Sequence, residues 1–147
     1  MSKRNDLPFE ITLEVRDTCL CLHLQRAARA VARRFDAALR PLGLTSGQFS
    51  LLMSLNRPEA ASIGNVSTLL AMDRTTLTAN LKPLERRGLV SVTADDADKR
   101  TRRLSLTPAG RALLCAAVPA WRRTPAEIDC LLGSSSDRLR ADLGALS

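Results

Sequence analysis

Residues 73–90, DRTTLTANLKPLERRGLV, set the hydroxyls of Thr75, Thr76 and Thr78 and the carboxamide of Asn80 among the cations Arg74, Lys82 and Arg86. Hydroxyls and carboxamides both donate to and accept from base edges, while guanidinium and ammonium groups pair with phosphates, so the combination suits a nucleic-acid contact. A second stretch, DDADKRTR at 95–102, offers Lys99, Arg100 and Arg102 beside Asp98. On a thin β-ribbon, a guanidinium placed there reaches the narrow, electronegative minor groove. Catalytic chemistry has no comparable support. The sequence holds no glycine-rich phosphate loop, no G-x-S-x-G and no H-E-x-x-H, and its single histidine, His23, has no acid at a relay spacing. The expectation is a protein that is not an enzyme and needs no cofactor. Cys19, Cys21, Cys115 and Cys130 form no C-x-x-C pair. With one histidine they predict neither a metal site nor a disulfide framework, and thiols that are reduced at rest.

These residues need elements to hold them. Leu77, Leu81 and Leu84 recur at steps of four and three, one helical face, which leaves Thr75, Thr78, Lys82 and Arg86 on the opposite side and Asn80 near the stripe. Asp73 suits an N-cap and Gly88 a stop, so a helix over 73–87 is predicted, bent at Pro83. Upstream, SIGNVSTLLAM has its own apolar spacing and Ser62 as a cap, and only Ala71 and Met72 separate it from Asp73. Two helices joined this tightly predict a helix-turn-helix. Downstream, LVSVTA (89–94) and RLSLT (103–107) alternate apolar and polar residues around the charged loop, which predicts a hairpin wing.

The flanks read as helices. From Cys21 through Leu24, Ala28, Val31, Phe35 and Ala38 to Leu42 runs a heptad-like stripe, predicting a helix of some 24 residues that ends near Gly43. Thr45 with Gln48 is a capping box for the next helix. A long helix is expected from Pro108 to about Leu132, bent at Pro119 and Pro125, with a fresh start at TPAE (124–127) as the alternative. Ser134 is the expected cap of a short last helix carrying Leu139, Leu143 and Leu146, which is too small to stand without a second subunit.

Composition agrees with a basic, folded chain. Hydrophobic residues make up 45% of the 147 and the net charge is +7, which favours an anionic partner. Residues 16–40 hold six arginines against two aspartates, and residues 73–103 hold eight Lys or Arg against five acids. The two predicted contact stretches therefore lie in one of the two regions that carry the field. No apolar run approaches the ~18 residues of a membrane span, and MSKRNDLPFEITLEVRD has no signal-peptide core, so a cytoplasmic protein without membrane contact is expected.

LTSGQFSLLMSL, then DRTTLTANLKPLERRGLV, then DADKRTRRLSLTPAGRALL together resemble the MarR family of bacterial winged-helix repressors. Asp98 and Arg100 match its wing element, and Thr107 and Gly110 follow at the family's spacing; Pro83 and Ala71 depart from its commonest pattern. The resemblance implies a mostly α fold with a small β-hairpin wing, in which residues 43–107 form the winged helix-turn-helix domain. Residues 1–42, an arm and first helix, and 108–147 then form a helical dimerisation domain. It also implies a homodimer on palindromic double-stranded DNA, an effector site between the two parts, Arg100 as the minor-groove arginine, and Asp98 orienting it or a neighbouring basic residue. Two sensors fit. One is a pocket for a small aromatic or lipophilic acid, lined by Phe35, Phe49 and Trp121 with an arginine for the carboxylate. The other, implied by the hydroperoxide-responsive branch of the family, is Cys21 with Cys115 or Cys130 as a resolving thiol. That branch holds its cysteine with tyrosines. This chain has none, and Gln25 and Phe35 stand where the hydroxyls would be, which favours the small-molecule pocket.

Overall fold

The computed structural model describes residues 6–147; the first five residues of the expected N-terminal arm lie outside them. In chain order the elements are α1 (Phe9–Thr18), α2 (Leu20–Leu39), a 3₁₀ turn (Arg40–Leu42), α3 (Ser46–Ser54), β1 (Ala61–Ser62), α4 (Ile63–Leu70), α5 (Arg74–Arg86), β2 (Val90–Ala94), β3 (Arg102–Leu106), α6 (Pro108–Leu132) and α7 (Asp137–Leu146).

The helix-turn-helix forms as its caps predict. Ser62 Oγ accepts from Asn65 N–H at 3.1 Å and Asp73 accepts from Thr76 N–H at 3.1 Å, each satisfying an orphan amide of a first turn. Between them Ala71 takes a left-handed conformation, φ 50°, where glycine would be unstrained. Helix α5 runs through Pro83 without interruption, and Gly88, φ 71°, ends it. The wing is antiparallel with Val92 opposite Leu104, and its strands lie within one residue of the expected spans. A third strand was not foreseen. β1 pairs Ala61 with Leu104 and Ser62 with Arg103, so the sheet order is β1-β3-β2.

Other departures have local causes. The stripe from Cys21 is helical only to Leu39, because Pro41 lacks the amide that would continue the ladder; a 3₁₀ turn closed by Gly43, φ 69°, takes over. Cys19 is extended, ψ 104°, and separates α2 from α1, a helix absent from the expectation. Thr124 does not start a new helix. Its side chain is buried inside α6, where Oγ1 donates to the Ala120 carbonyl at 3.2 Å instead of capping. Ser136 rather than Ser134 begins α7. Asp129 Oδ1 accepts from Ser136 N–H at 2.9 Å and Ser135 Oγ from Asp137 N–H at 3.3 Å, which moves the start by two residues. The capping box at Thr45 and Gln48 forms with both of its bonds.

One core serves the winged domain and the long helices. Leu39 of α2, Leu52 of α3, Val66 of α4, Leu77 of α5, Leu104 of β3 and Ala117 of α6 are wholly buried in it. Gly110 lets α6 close against the wing. Its Cα sits so close to β2 that an added Cβ would lie 2.1 Å from the Leu89 carbonyl oxygen. That carbonyl also accepts from Thr107 N–H at 3.1 Å, and Thr107 Oγ1 donates to the Gly88 carbonyl at 2.6 Å and accepts from Gly110 N–H at 3.0 Å. Thr107 and Gly110 thus pin the start of α6 to the junction of α5 and the wing. Helices α1 and α7 are different: neither buries a single residue in this chain.

Candidate nucleic-acid interface

Helix α5 buries Leu77, Leu81 and Leu84 and turns Arg74, Thr75, Thr76, Thr78, Asn80, Lys82 and Arg86 outward. The outward residues are not equivalent. Thr76 donates its hydroxyl to Asp73 as well as its amide, so it builds the cap; these two bonds, the hydroxyl's first, hold the Asp73 carboxyl below the usual carboxylate range. Thr78 Oγ1 donates to the Arg74 carbonyl at 2.8 Å, which leaves its lone pairs as acceptors toward a partner. Asn80 leans to the Met72 sulfur, Nδ2 to Sδ 3.6 Å. Thr75, Lys82 and Arg86 stand in the open.

At the wing tip Asp98 works on the backbone. Oδ1 accepts from Arg100 N–H at 3.0 Å and Oδ2 from Thr101 Oγ1 at 3.3 Å, while the Asp98 carbonyl accepts from Thr101 N–H at 2.9 Å. The carboxylate therefore folds the turn that presents Lys99, Arg100 and Arg102, all exposed, rather than gripping a guanidinium. The ion pair of the wing lies lower. Arg103 Nη2 meets Asp95 Oδ2 at 3.3 Å across the strand ends, a pair that the sequence pattern does not single out.

Helix and wing share one groove. A cavity of about 560 Å³ is walled by Arg74 and Thr78 of α5, Asn65 and Thr68 of α4, and Arg100 and Arg102 of the wing. Arg74 lies across the start of α4, so close that a Cβ at Gly64 would sit 3.1 Å from its Nη2. Asn65 and Thr68 were missed from the sequence; their signal was the polar face of α4 opposite buried Val66. A brace also ties the end of α5 to the turn after α2. Arg87 Nη1 donates to the Gly43 carbonyl at 2.9 Å.

The two expected sensors differ in how much of them the fold assembles. Phe49 and Trp121 stack, centroids 6.1 Å apart and planes 16° apart, over a cavity of about 460 Å³ that Met53, Leu69 and Leu70 complete. Phe35 does not line it: the walls come from α3, α4 and α6, and α2 contributes none. Cys21, Cys115 and Cys130 are exposed and unbridged, and Gln25 Nε2 stands 3.4 Å from the Cys21 sulfur. Cys21 is therefore no buried apolar residue within its own chain, and Cys19 lies at the extended junction rather than within a helix. Among the described residues no cluster of metal-ligating side chains occurs and no helix is long and apolar enough to cross a membrane.

A family model described as MarR family matches residues 44–101, from α3 to the wing tip. The M. tuberculosis transcriptional regulator MosR, solved in complex with DNA, is 41% identical with a TM-score of 0.79, over 87% of this chain and 92% of that one. The chain belongs to the MarR family. CouR, a transcriptional repressor solved on a 23-mer DNA duplex, is 31% identical with a TM-score of 0.73, over 97% of this chain and 96% of its own. Among curated MarR-family relatives, the transcriptional activatory protein BadR of Rhodopseudomonas palustris is 33% identical over 95 residues. That match takes in 63% of this chain and 54% of BadR, so this chain spans about half the length of that relative. The family-model match is confined to residues 44–101, whereas the structural likeness takes in 87% of the chain and so reaches well beyond the winged domain.

Proposed function

We propose that this MarR-family chain is a transcriptional repressor acting in the cytoplasm. As a homodimer it binds a palindromic double-stranded operator, from which a small aromatic or lipophilic effector releases it. The carrying observation is the single groove that joins Arg74 and Thr78 of α5 to Arg100 and Arg102 of the wing. Hydroxyls and amides on the helix meet base edges, Lys82 and Arg86 meet phosphates, and Arg100 enters the adjacent minor groove. Helices α1 and α7, which bury nothing in their own chain and expose Phe9, Val15, Leu139 and Leu146, supply the surface for a second copy. DNA complexes of MosR and CouR, both over 30% identical, support the reading.

Selection from random DNA followed by anisotropy titration tests it. The selected sites are expected to be inverted repeats with half-sites about one turn, ~34 Å, apart. Lys82→Ala should weaken binding to every sequence and flatten the salt dependence by about one unit of slope for each phosphate no longer neutralised. Thr78→Ala should change preference at particular positions. Selection that returns no repeat, together with variants that bind like wild type, defeats the proposal.

A redox reading retains one favourable observation: Cys21 is exposed and a Gln25 amide proton faces its sulfur. Its test is release of DNA by a stoichiometric organic hydroperoxide from wild type but not from Cys21→Ser. The effector reading expects both proteins to stay bound.

A further inference from the structure

The groove shared by α4, α5 and the wing is charged with one sign alone. Arg74, Arg100 and Arg102 stand on its walls, and among the described residues no acidic or aromatic side chain lines it. None of the three guanidiniums takes part in an ion pair among the described residues. Asp98 is their neighbour in sequence but not on the walls, and its carboxylate is committed to Arg100 N–H and Thr101 Oγ1. Arg74 is laid along the start of α4, where Gly64 leaves it room.

We propose that this groove binds the linked phosphates of a short inorganic polyphosphate, which competes with DNA for the wing arginines. Binding needs only the residues of this chain; its regulatory meaning rests on the DNA reading above. Three features select this class. Three like charges around one cavity of about 560 Å³ repel one another, and a monoanion would leave two of them unpaired. Linked phosphates bring several charges into that space and offer each guanidinium a bidentate partner. In a duplex, by contrast, each phosphodiester carries one charge and a sugar separates it from the next. The uncommitted donors also suit phosphate oxygens. The hydroxyls of Thr68 and Thr78 donate to carbonyls of their own helices, whereas Ser62 Oγ accepts from Asn65 N–H at 3.1 Å and keeps its own proton for a ligand. Finally, the walls hold no ring on which a base could stack, so they favour the inorganic chain over a nucleoside triphosphate.

Occupancy has a direct consequence for DNA. It engages Arg100 and Arg102, the wing's reach toward the minor groove, and sets negative charge where the duplex approaches. Release is then electrostatic and requires no movement of α5.

Calorimetric titration of the DNA-free protein with tripolyphosphate tests the site, with orthophosphate and ATP compared at matched ionic strength and without divalent cations. Tripolyphosphate is expected to bind at one site per chain, at least about ten-fold more tightly than orthophosphate, the effect of one further charge-assisted contact. ATP should bind no more tightly than tripolyphosphate. Arg74→Gln and Arg102→Gln should each cost about ten-fold. Arg29→Gln removes the same charge from the exposed face of α2, outside the groove, and should leave the affinity unchanged. No binding, equal binding of orthophosphate, or an equal loss in Arg29→Gln overturns the site, and tighter binding of ATP overturns the inorganic assignment. A competition titration on selected DNA separates this proposal from the reading beneath it. Tripolyphosphate should displace the DNA from wild type. If it binds as described and the DNA stays bound, the competition fails and the DNA reading of this groove fails with it, while the polyphosphate site stands. If DNA binds and tripolyphosphate does not, the polyphosphate site alone falls.

Discussion

Arg100 and Asp98 stand two positions apart on the wing with opposite charges, and the geometry gives them different work. Arg100 is exposed at the tip, free to lose part of its hydration in a minor groove, which a diffuse guanidinium does at less cost than a compact ammonium. Arg100→Lys is therefore expected to keep the charge and still lose affinity, and Arg100→Ala to lose on the order of ten-fold or more in anisotropy titrations. Equal binding by wild type and Arg100→Lys would place this side chain on phosphate, not in the groove. Asp98 opposes DNA charge, so Asp98→Ala makes the protein more basic. Because its two oxygens hold Arg100 N–H and Thr101 Oγ1, the loosened tip should outweigh the gained charge, and binding should weaken. Tighter binding would show that the acid acts only by repulsion. Much of this was legible in the residues. The α5 face and the tip cations stand where the leucine spacing and the loop composition put them. Thr76 shows the limit: its spacing from Asp73 marks it equally as cap partner and as base contact, and only the hydroxyl bond decides for the cap. Phe35 was misplaced because an apolar residue on a stripe carries no sign of which cavity it faces. Asn65 was legible only as part of the polar face of α4, and Arg57 and Arg103 carried no local signal, since the cavity that they line with it exists only once α3, α4 and β3 are packed.

Gly110 shows how an element is fixed to its neighbours. A helical glycine replaced by alanine ordinarily gains about 1 kcal/mol in propensity. Here the new Cβ would lie 2.1 Å from the Leu89 carbonyl oxygen, a backbone atom that also holds Thr107 N–H. The clash decides the sign. Gly110→Ala is expected to destabilise by about 1–3 kcal/mol in denaturant titration, as overpacking does, and to disturb the wing more than α7 in hydrogen exchange. Stabilisation would mean that α6 can slide away from β2 without loss. Elements were legible where a cap announced them: Thr45 with Gln48, Ser62, Asp73, Thr107 with Pro108, and Gly133 all bound helices as their types demand. They were illegible where the decision is tertiary. The two residues of β1 are too few for a period and pair because β3 is there to receive them. TPAE has the letters of a helix start, yet burial of Thr124 on the core side of α6 keeps the ladder running through it.

At the scale of the whole molecule the apolar surface is unevenly settled. The winged domain and α6 close around one core, whereas Phe9 is 68%, Leu131 65% and Leu146 62% exposed, all on α1, the end of α6 and α7. Burying such side chains is worth about 1.5–3 kcal/mol each, so a surface that gathers them at the two ends of the chain is strongly driven to find a partner, which the proposed function takes to be a second copy. A ten-residue helix such as α7 is too short to persist in water without that contact. In the proposed dimer, two copies joined by a twofold axis would present two copies of α5 and the wing to paired half-sites. The expected outcome is a dimer of about 32 kDa, twice the 16.0 kDa chain, in sedimentation at micromolar concentration. Its unfolding temperature should rise with protein concentration, because subunit binding stabilises by mass action. Leu143→Glu on α7 would place a charge in that interface. It should shift the protein toward monomer and weaken DNA binding, while the stacking of Trp121 of α6 on Phe49 of α3 persists. A wild-type monomer at those concentrations would show that the exposed faces of α1 and α7 serve another partner.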